Sequence, residues 1–114
     1  MITKHRKSSV RTLLEKHAGG PLTLGSLVRA IREGEDYSLA DMGEKLRVTR
    51  GHVAAIERGK PVSPEAAARY AKALGYSEEQ FVRLALQDQV RRAGLQYEVA
   101  MKPKPKRSTQ PLEG

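Results

Sequence analysis

Apolar residues between positions 23 and 94 recur with the period of amphipathic helices. In "TLGSLVRAIREGE", Leu24, Leu27, Val28 and Ile31 fall at i, i+3, i+4 and i+7, which is one stripe on a helix. Four later segments also have apolar residues at helical spacing, and most of these segments end at a glycine. A serine or threonine that can cap a helix precedes each segment, namely Thr23, Ser38, Thr49, Ser63 and Ser77. The pattern predicts an all-α fold, a bundle of five short helices.

The flanks have different patterns. Residues 1–22 form a basic segment in which "SSVRTLLEKHAGG" is compatible with one short helix. In residues 95–101, Leu95, Tyr97, Val99 and Met101 alternate with other residues, which predicts a short β-strand. Residues 102–114 contain three prolines and no apolar period, so we expect a disordered basic tail. The expected organisation is therefore a helical domain over 23–94 with a strand and two basic flanks.

Composition narrows the class of protein. The 114 residues include one Phe, no Trp and no Cys, so we expect a small aliphatic core without disulfides or thiolate metal sites. His5, His17 and His52 lack ligand spacing, and we expect no metal and no cofactor. No apolar run is long enough to cross a bilayer and no secretory signal is present, which predicts a cytoplasmic protein without a membrane partner.

The net charge of +8 is concentrated on the flanks. Residues 1–22 carry five Lys and Arg against one Glu, and residues 95–114 carry four against two Glu. A basic chain of this size attracts polyanions, of which nucleic acid is the commonest. A charge that only keeps the protein soluble explains the same numbers, so charge alone leaves both readings open.

A turn of three residues, "RVT", separates the second and third predicted helices. This is helix-turn-helix geometry, in which the second helix of the pair enters the DNA major groove. The run "SLADMGEKLRVTRGHVAAIERGKPVSPEAAARYAKALG" resembles the phage repressor and Cro family of helix-turn-helix proteins, the xenobiotic-response-element type. Gly43, Val48, Thr49, Val53 and Ile56 carry the resemblance. It implies a DNA-binding regulator, and HigA-type antitoxins are similar in length and layout.

The third helix supplies the candidate DNA contacts. Val53 and Ile56 anchor it, which leaves as base-reading candidates Arg50, Gly51, His52, Ala54 and Ala55. Arg50 is the main one because its guanidinium can bind guanine O6 and N7 together. The candidates for phosphate contact are Ser38, Arg47, Thr49, Arg58 and Lys60. Alternatives stay open, since Arg50 can be a solvated surface residue and His52 can contact phosphate or only solvent.

The resemblance also implies an ion pair between Arg32 and Glu57, which would orient the third helix. Two positions depart from the family pattern. Leu39 stands where the family usually has a phosphate-binding Gln, and Ser38 can replace that contact. Arg47 stands where the turn usually has Gly at positive φ, at a cost on the order of 1 kcal/mol.

The preferred hypothesis is a dimeric, sequence-specific repressor whose partner is double-stranded DNA. The predicted dimer surface joins the fifth helix to the strand through Val82, Leu86, Val90, Tyr97 and Val99. The strand can instead fold back on the N-terminal segment. A narrower hypothesis makes the chain the antitoxin of a toxin protein, and an alternative makes it a non-catalytic interaction adaptor. We expect no enzyme, because the sequence has no phosphate-binding loop and no nucleophile–histidine signature.

Overall fold

The computed structural model describes residues 22–105 and contains five helices in this range. Their bounds are α1 Leu24–Gly34, α2 Leu39–Leu46, α3 Arg50–Glu57, α4 Pro64–Leu74 and α5 Glu78–Arg92. The predicted five-helix, all-α architecture is confirmed, and every helix starts after the predicted cap. The predicted N-terminal helix and most of the predicted disordered tail lie outside the described residues.

Helix caps fix where the five helices begin. In each case a Ser or Thr hydroxyl accepts a hydrogen bond from the backbone N–H three residues later. At α2 the bond is reciprocal, because the N–H of Ser38 donates to Asp41 Oδ2 at 2.9 Å. Hydrogen bonds from the backbone N–H of Ser38 and then from its side chain hold the pKa of the Asp41 carboxyl group below its ordinary value. The carboxylate therefore stays charged at the N-terminus of α2, where the helix dipole favours it.

The turn between α2 and α3 is tight. Arg47 has φ 63° and ψ 44°, so it occupies the left-handed region as the resemblance implied. Gly43 allows the turn to lie against α2, because a Cβ there would lie 2.6 Å from the carbonyl oxygen of Val48. Val48 is half-buried and packs against the core. The turn thus sets α3 directly beside α2.

The core is small and mainly aliphatic. α3 packs against α1 and α2, α4 packs against α2 and α5, and α1 also contacts α5. Phe81 of α5 and Tyr70 of α4 are its large aromatic members. Asp88 of α5 accepts a hydrogen bond from the N–H of Leu24, which ties the first turn of α1 to α5. Among the five described helices, the neighbours of α3 lie on its inner side, and none of them covers its outer face.

Residues 95–101 form no β-strand, so that prediction is wrong. The side-chain amide of Gln87 takes the place of a partner strand. Its Nε2 donates to the carbonyl oxygen of Tyr97 at 2.9 Å, and its Oε1 accepts from the N–H of Val99 at 2.7 Å. The physical reason is that a strand needs a neighbouring strand, and residues 22–105 contain none. Leu95 and Tyr97 remain exposed, at 52% and 71%.

Gly25 in the first turn of α1 is required for the close crossing of α1 and α3. A Cβ at this position would collide with the carbonyl oxygen of Ile56 and would lie 3.2 Å from that of Glu57. Backbone oxygen atoms cannot move aside as a flexible side chain can. The helical pattern of the sequence did not identify this glycine, since nothing in it shows which face meets another backbone.

We therefore predict that Gly25→Ala lowers the free energy of unfolding by roughly 1–3 kcal/mol, since α1 and α3 must separate. The matched control is Gly51→Ala in α3. A Cβ there would meet only Thr49 Oγ1, at 4.0 Å, and gains up to about 1 kcal/mol of helix propensity. Urea unfolding followed by circular dichroism measures both variants. Equal midpoints for the two variants would contradict the close crossing.

Candidate nucleic-acid interface

The outer face of α3 is made of small residues with longer side chains at its edges. Val53 and Ile56 are fully buried and fix which side faces the core. At roughly 100° per residue, the opposite side is centred on Gly51, Ala54 and Ala55. Gly51 is exposed and the two alanines are half-buried. The helix backbone can therefore approach a flat surface or the floor of a groove closely.

Arg50 and His52 flank this small-residue face. Arg50 is exposed and has no ion-pair partner within residues 22–105. His52 is half-buried, and its backbone N–H donates to the Thr49 hydroxyl at 3.0 Å. The two side chains lie on opposite edges of α3, so they can reach different base pairs or strands of a duplex.

Hydroxyl groups stand at the N-termini of α2 and α3. The Thr49 oxygen accepts the capping bond and keeps its hydrogen to donate to an anion. At Ser38, by contrast, both the hydroxyl and the backbone N–H are hydrogen-bonded to Asp41. The Asp41 carboxylate also repels a phosphate at this point. Ser38 is therefore a poorer phosphate donor than Thr49.

Two cations follow the C-terminus of α3. Arg58 and Lys60 are exposed, and neither forms a salt bridge within the described part of the chain. Gly59 between them has φ 114°, a conformation that favours glycine. The N–H of Lys60 donates to the carbonyl oxygen of Ala55 at 2.9 Å, which closes the chain back onto α3. Both cations thus border the outer face of α3.

The predicted ion pair is present and holds the end of α3. Arg32 donates to the two carboxylate oxygens of Glu57 at 2.7 and 3.2 Å, and to the carbonyl oxygen of Tyr37 at 3.2 Å. The two charged side chains are 18% and 9% exposed. The hydrogen bond to Glu57 raises the pKa of Arg32 above its ordinary value. Arg32 therefore joins α1, the α1–α2 loop and α3.

Arg47 lies apart from the α3 face. Its neighbours line a groove between α2 and α4, and they include Lys45, Arg69 and Lys72. The sequence pattern did not identify these three residues as part of one surface. They are separated along the chain and lie on two different helices, so only the packing of α2 on α4 shows that they share one surface.

The predicted dimer surface is partly used within the chain. Val82 packs against the core, whereas Leu86 and Val90 are half-buried on α5. Val99 is half-buried and bound by Gln87, and Tyr97 is mostly exposed. Leu86, Val90 and Tyr97 thus remain the more accessible members of the predicted set.

Over residues 22–105, His, Asp and Glu form no cluster of three that could hold a metal ion. In the same range, none of the helices combines the length and apolar character needed to cross a membrane.

Comparison with known proteins identifies the central segment. A family model described as "Helix-turn-helix" matches residues 28–81, which run from α1 into the first turn of α5. Searches of curated proteins and of solved structures gave no significant match. The matched segment contains the observed α2–turn–α3 unit, in which a three-residue turn joins two short helices.

The ion pair gives a prediction about stability. Glu57→Ala should lower the free energy of unfolding by roughly 3–5 kcal/mol, because Arg32 is left charged and largely buried without its partner. Glu33→Ala is the matched control. It breaks the Arg29–Glu33 pair, whose side chains are 62% and 47% exposed, and should cost less than about 1 kcal/mol. Thermal unfolding of both variants tests this, and a Glu57→Ala protein as stable as the control would contradict it.

Proposed function

We propose that the protein is a sequence-specific DNA-binding transcription regulator that inserts α3 into the major groove. The observation that supports this proposal is the different character of the inner and outer sides of α3. Its inner side is fixed by Val53, Ile56 and the Arg32–Glu57 pair, while its outer side is small and bordered by cations that form no salt bridge within residues 22–105. A rigid helix with such a face suits the shape and charge of a DNA groove.

Base reading would rest on few side chains. Gly51, Ala54 and Ala55 let the helix sit deep, and an alanine methyl can contact a thymine methyl. Arg50 reaches guanine O6 and N7 from the edge, a contact that contributes roughly 1–3 kcal/mol of discrimination. His52 on the other edge donates to a base or a phosphate. Because few side chains contact bases, we expect the recognised sequence in each half-site to be short.

Phosphate contacts would hold the helix in register. Thr49 and Ser38 donate from their hydroxyls at the helix N-termini, with Thr49 the stronger donor. Arg58 and Lys60 bind phosphates beyond the C-terminus of α3, and Arg47 binds them from the turn. These contacts carry no sequence information, but they supply most of the salt-dependent affinity.

We further propose that the regulator acts as a dimeric repressor. One domain of this size covers about half a site, and a two-fold axis would place two α3 helices roughly 34 Å apart. Gln87 binds residues 97 and 99 of the tail, so the backbone groups of residues 96, 98 and 100 are left for another chain. Leu86 and Val90 of α5, with exposed Tyr97, would support this contact.

An antitoxin role and an adaptor role are the narrower and the alternative hypotheses. A short toxin-like reading frame beside the gene would favour the antitoxin. Rising salt separates regulator from adaptor, because a regulator keeps a preferred site when non-specific DNA has dissociated, whereas an adaptor loses all DNA together.

The roles of two cations can be tested with a duplex selected from a random pool. Arg50→Ala should weaken the selected site by roughly 5- to 150-fold relative to random DNA, which corresponds to 1–3 kcal/mol. Lys60→Ala should weaken both duplexes alike and reduce the salt slope by about one unit. Fluorescence anisotropy between 50 and 200 mM salt measures both effects. If Arg50→Ala weakened both duplexes equally, its base-reading role would be wrong.

The proposed dimer can be tested by measuring the molar mass of truncated and substituted variants in solution. Deleting residues 95–114 should convert the dimer to a monomer in light scattering, because the tail edge and Tyr97 are lost. Leu86→Glu should also favour the monomer, since it puts a charge into the apolar contact. Gln89→Glu is the control because Gln89 is exposed on α5. A truncated protein that stays a tight dimer would rule out the tail as the main contact.

A further inference from the structure

A groove of about 370 Å³ between α2 and α4 is lined by four basic side chains and no acidic one. Lys45 and Arg47 come from the end of α2 and its turn, and Arg69 and Lys72 come from α4. The remaining lining is apolar and aliphatic. We name this surface the α2–α4 groove. It concentrates positive charge where residues 23–94 as a whole are nearly balanced, with twelve Lys and Arg against ten Asp and Glu.

None of the basic side chains of the α2–α4 groove is held in an ion pair of the described residues. All four basic side chains are exposed, and the salt bridges within residues 22–105 involve other residues. Lys45 has one further contact, since its Nζ lies 5.5 Å from the centroid of the Tyr37 ring. Like charges placed together oppose the compact state through repulsion. A bound anion would relieve such repulsion in the α2–α4 groove.

The backbone conformation of Arg47 also indicates a functional role for the α2–α4 groove. A non-glycine residue in the left-handed region costs on the order of 1 kcal/mol, and such strain collects at functional sites. A glycine would make the same turn without strain, but it would bring no guanidinium to the groove. Strain and charge repulsion thus meet at one surface.

The α2–α4 groove is separate from the α3 face. α2 packs against α3 and also against α4, and no α3 residue lines the groove. The groove therefore opens on the side of α2 that faces α4. A phosphate bound there would lie outside the base pairs that α3 reads.

We propose that the α2–α4 groove binds the phosphate backbone of duplex DNA outside the base pairs read by α3. Arginine and lysine donors match phosphate oxygens, and arginine can bind two of them at once. None of the described residues that line the groove is aromatic, so these residues offer no stacking platform of the kind that single-stranded nucleic acid uses. The proposal rests on the proposed function only in taking duplex DNA as the ligand.

The test uses the full chain with Arg69→Gln and Lys72→Gln combined, and 30-base-pair duplexes of random and selected sequence. Losing two phosphate contacts should reduce the salt slope by about two units and weaken binding at 0.15 M salt on the order of tenfold or more. The preference for the selected duplex over the random one should not change. Arg83→Gln combined with Arg92→Gln is the control, because it removes the same charge from α5.

Equal losses in the two double variants would overturn the proposal, since only overall charge would then matter. An unchanged groove variant would also overturn it and would leave an acidic protein segment as the partner to seek. Without DNA, the groove variant should melt at the temperature of the parent, because both replaced side chains are exposed and neither forms a salt bridge within residues 22–105. An unchanged melting temperature shows that lost binding does not come from unfolding.

Failure of the proposed function gives a different result. If Arg50→Ala left the preference between duplexes unchanged, base reading by α3 would be wrong. A reduced salt slope of the groove variant on random DNA would still support the groove. Lys45→Gln gives an independent check, with an expected loss of about one unit of slope.

Discussion

The position of α3 depends on the Arg32–Glu57 pair. An isolated helix of eight residues is too short to be stable in water, so tertiary contacts must fix both of its ends. Arg32 binds Glu57 at the C-terminal end and the carbonyl oxygen of Tyr37 in the α1–α2 loop. Withdrawing two charges from water is unfavourable, and two hydrogen bonds offset this. The pair therefore specifies the orientation of α3 more than it adds stability.

Two glycines allow the close backbone contacts that surround this ion pair, between α1 and α3 and between α2 and the turn. Gly25 lets the first turn of α1 cross the carbonyl groups at the end of α3, beside Glu57. Gly43 lets the turn before α3 fold against α2. A methyl group at either position would meet a backbone oxygen, of Ile56 in α3 or of Val48 in the turn, which can move only if the backbone shifts. α3 is thus held in a notch between α1 and α2, with its small-residue face outward.

Local signals in the sequence predicted the helices, their caps and the turn, because each depends on a few adjacent residues. The family resemblance predicted the Arg32–Glu57 pair, which periodicity could not. Gly25 was missed because a close approach depends on a distant backbone. The strand at 95–101 was wrong because alternation shows which faces are apolar and not whether a partner strand exists. The roles of single residues on α3 stay predictions, since they depend on a bound duplex.

The basic surfaces follow from how the acidic residues are used. Asp41 caps α2, Glu57 pairs with Arg32, and Asp88 binds both Arg91 and the first turn of α1. None of these carboxylates forms a salt bridge with the cations at the end of α3 or in the α2–α4 groove. A nearly balanced domain thereby presents localised positive potential, and local potential rather than net charge attracts a phosphate backbone over short distances.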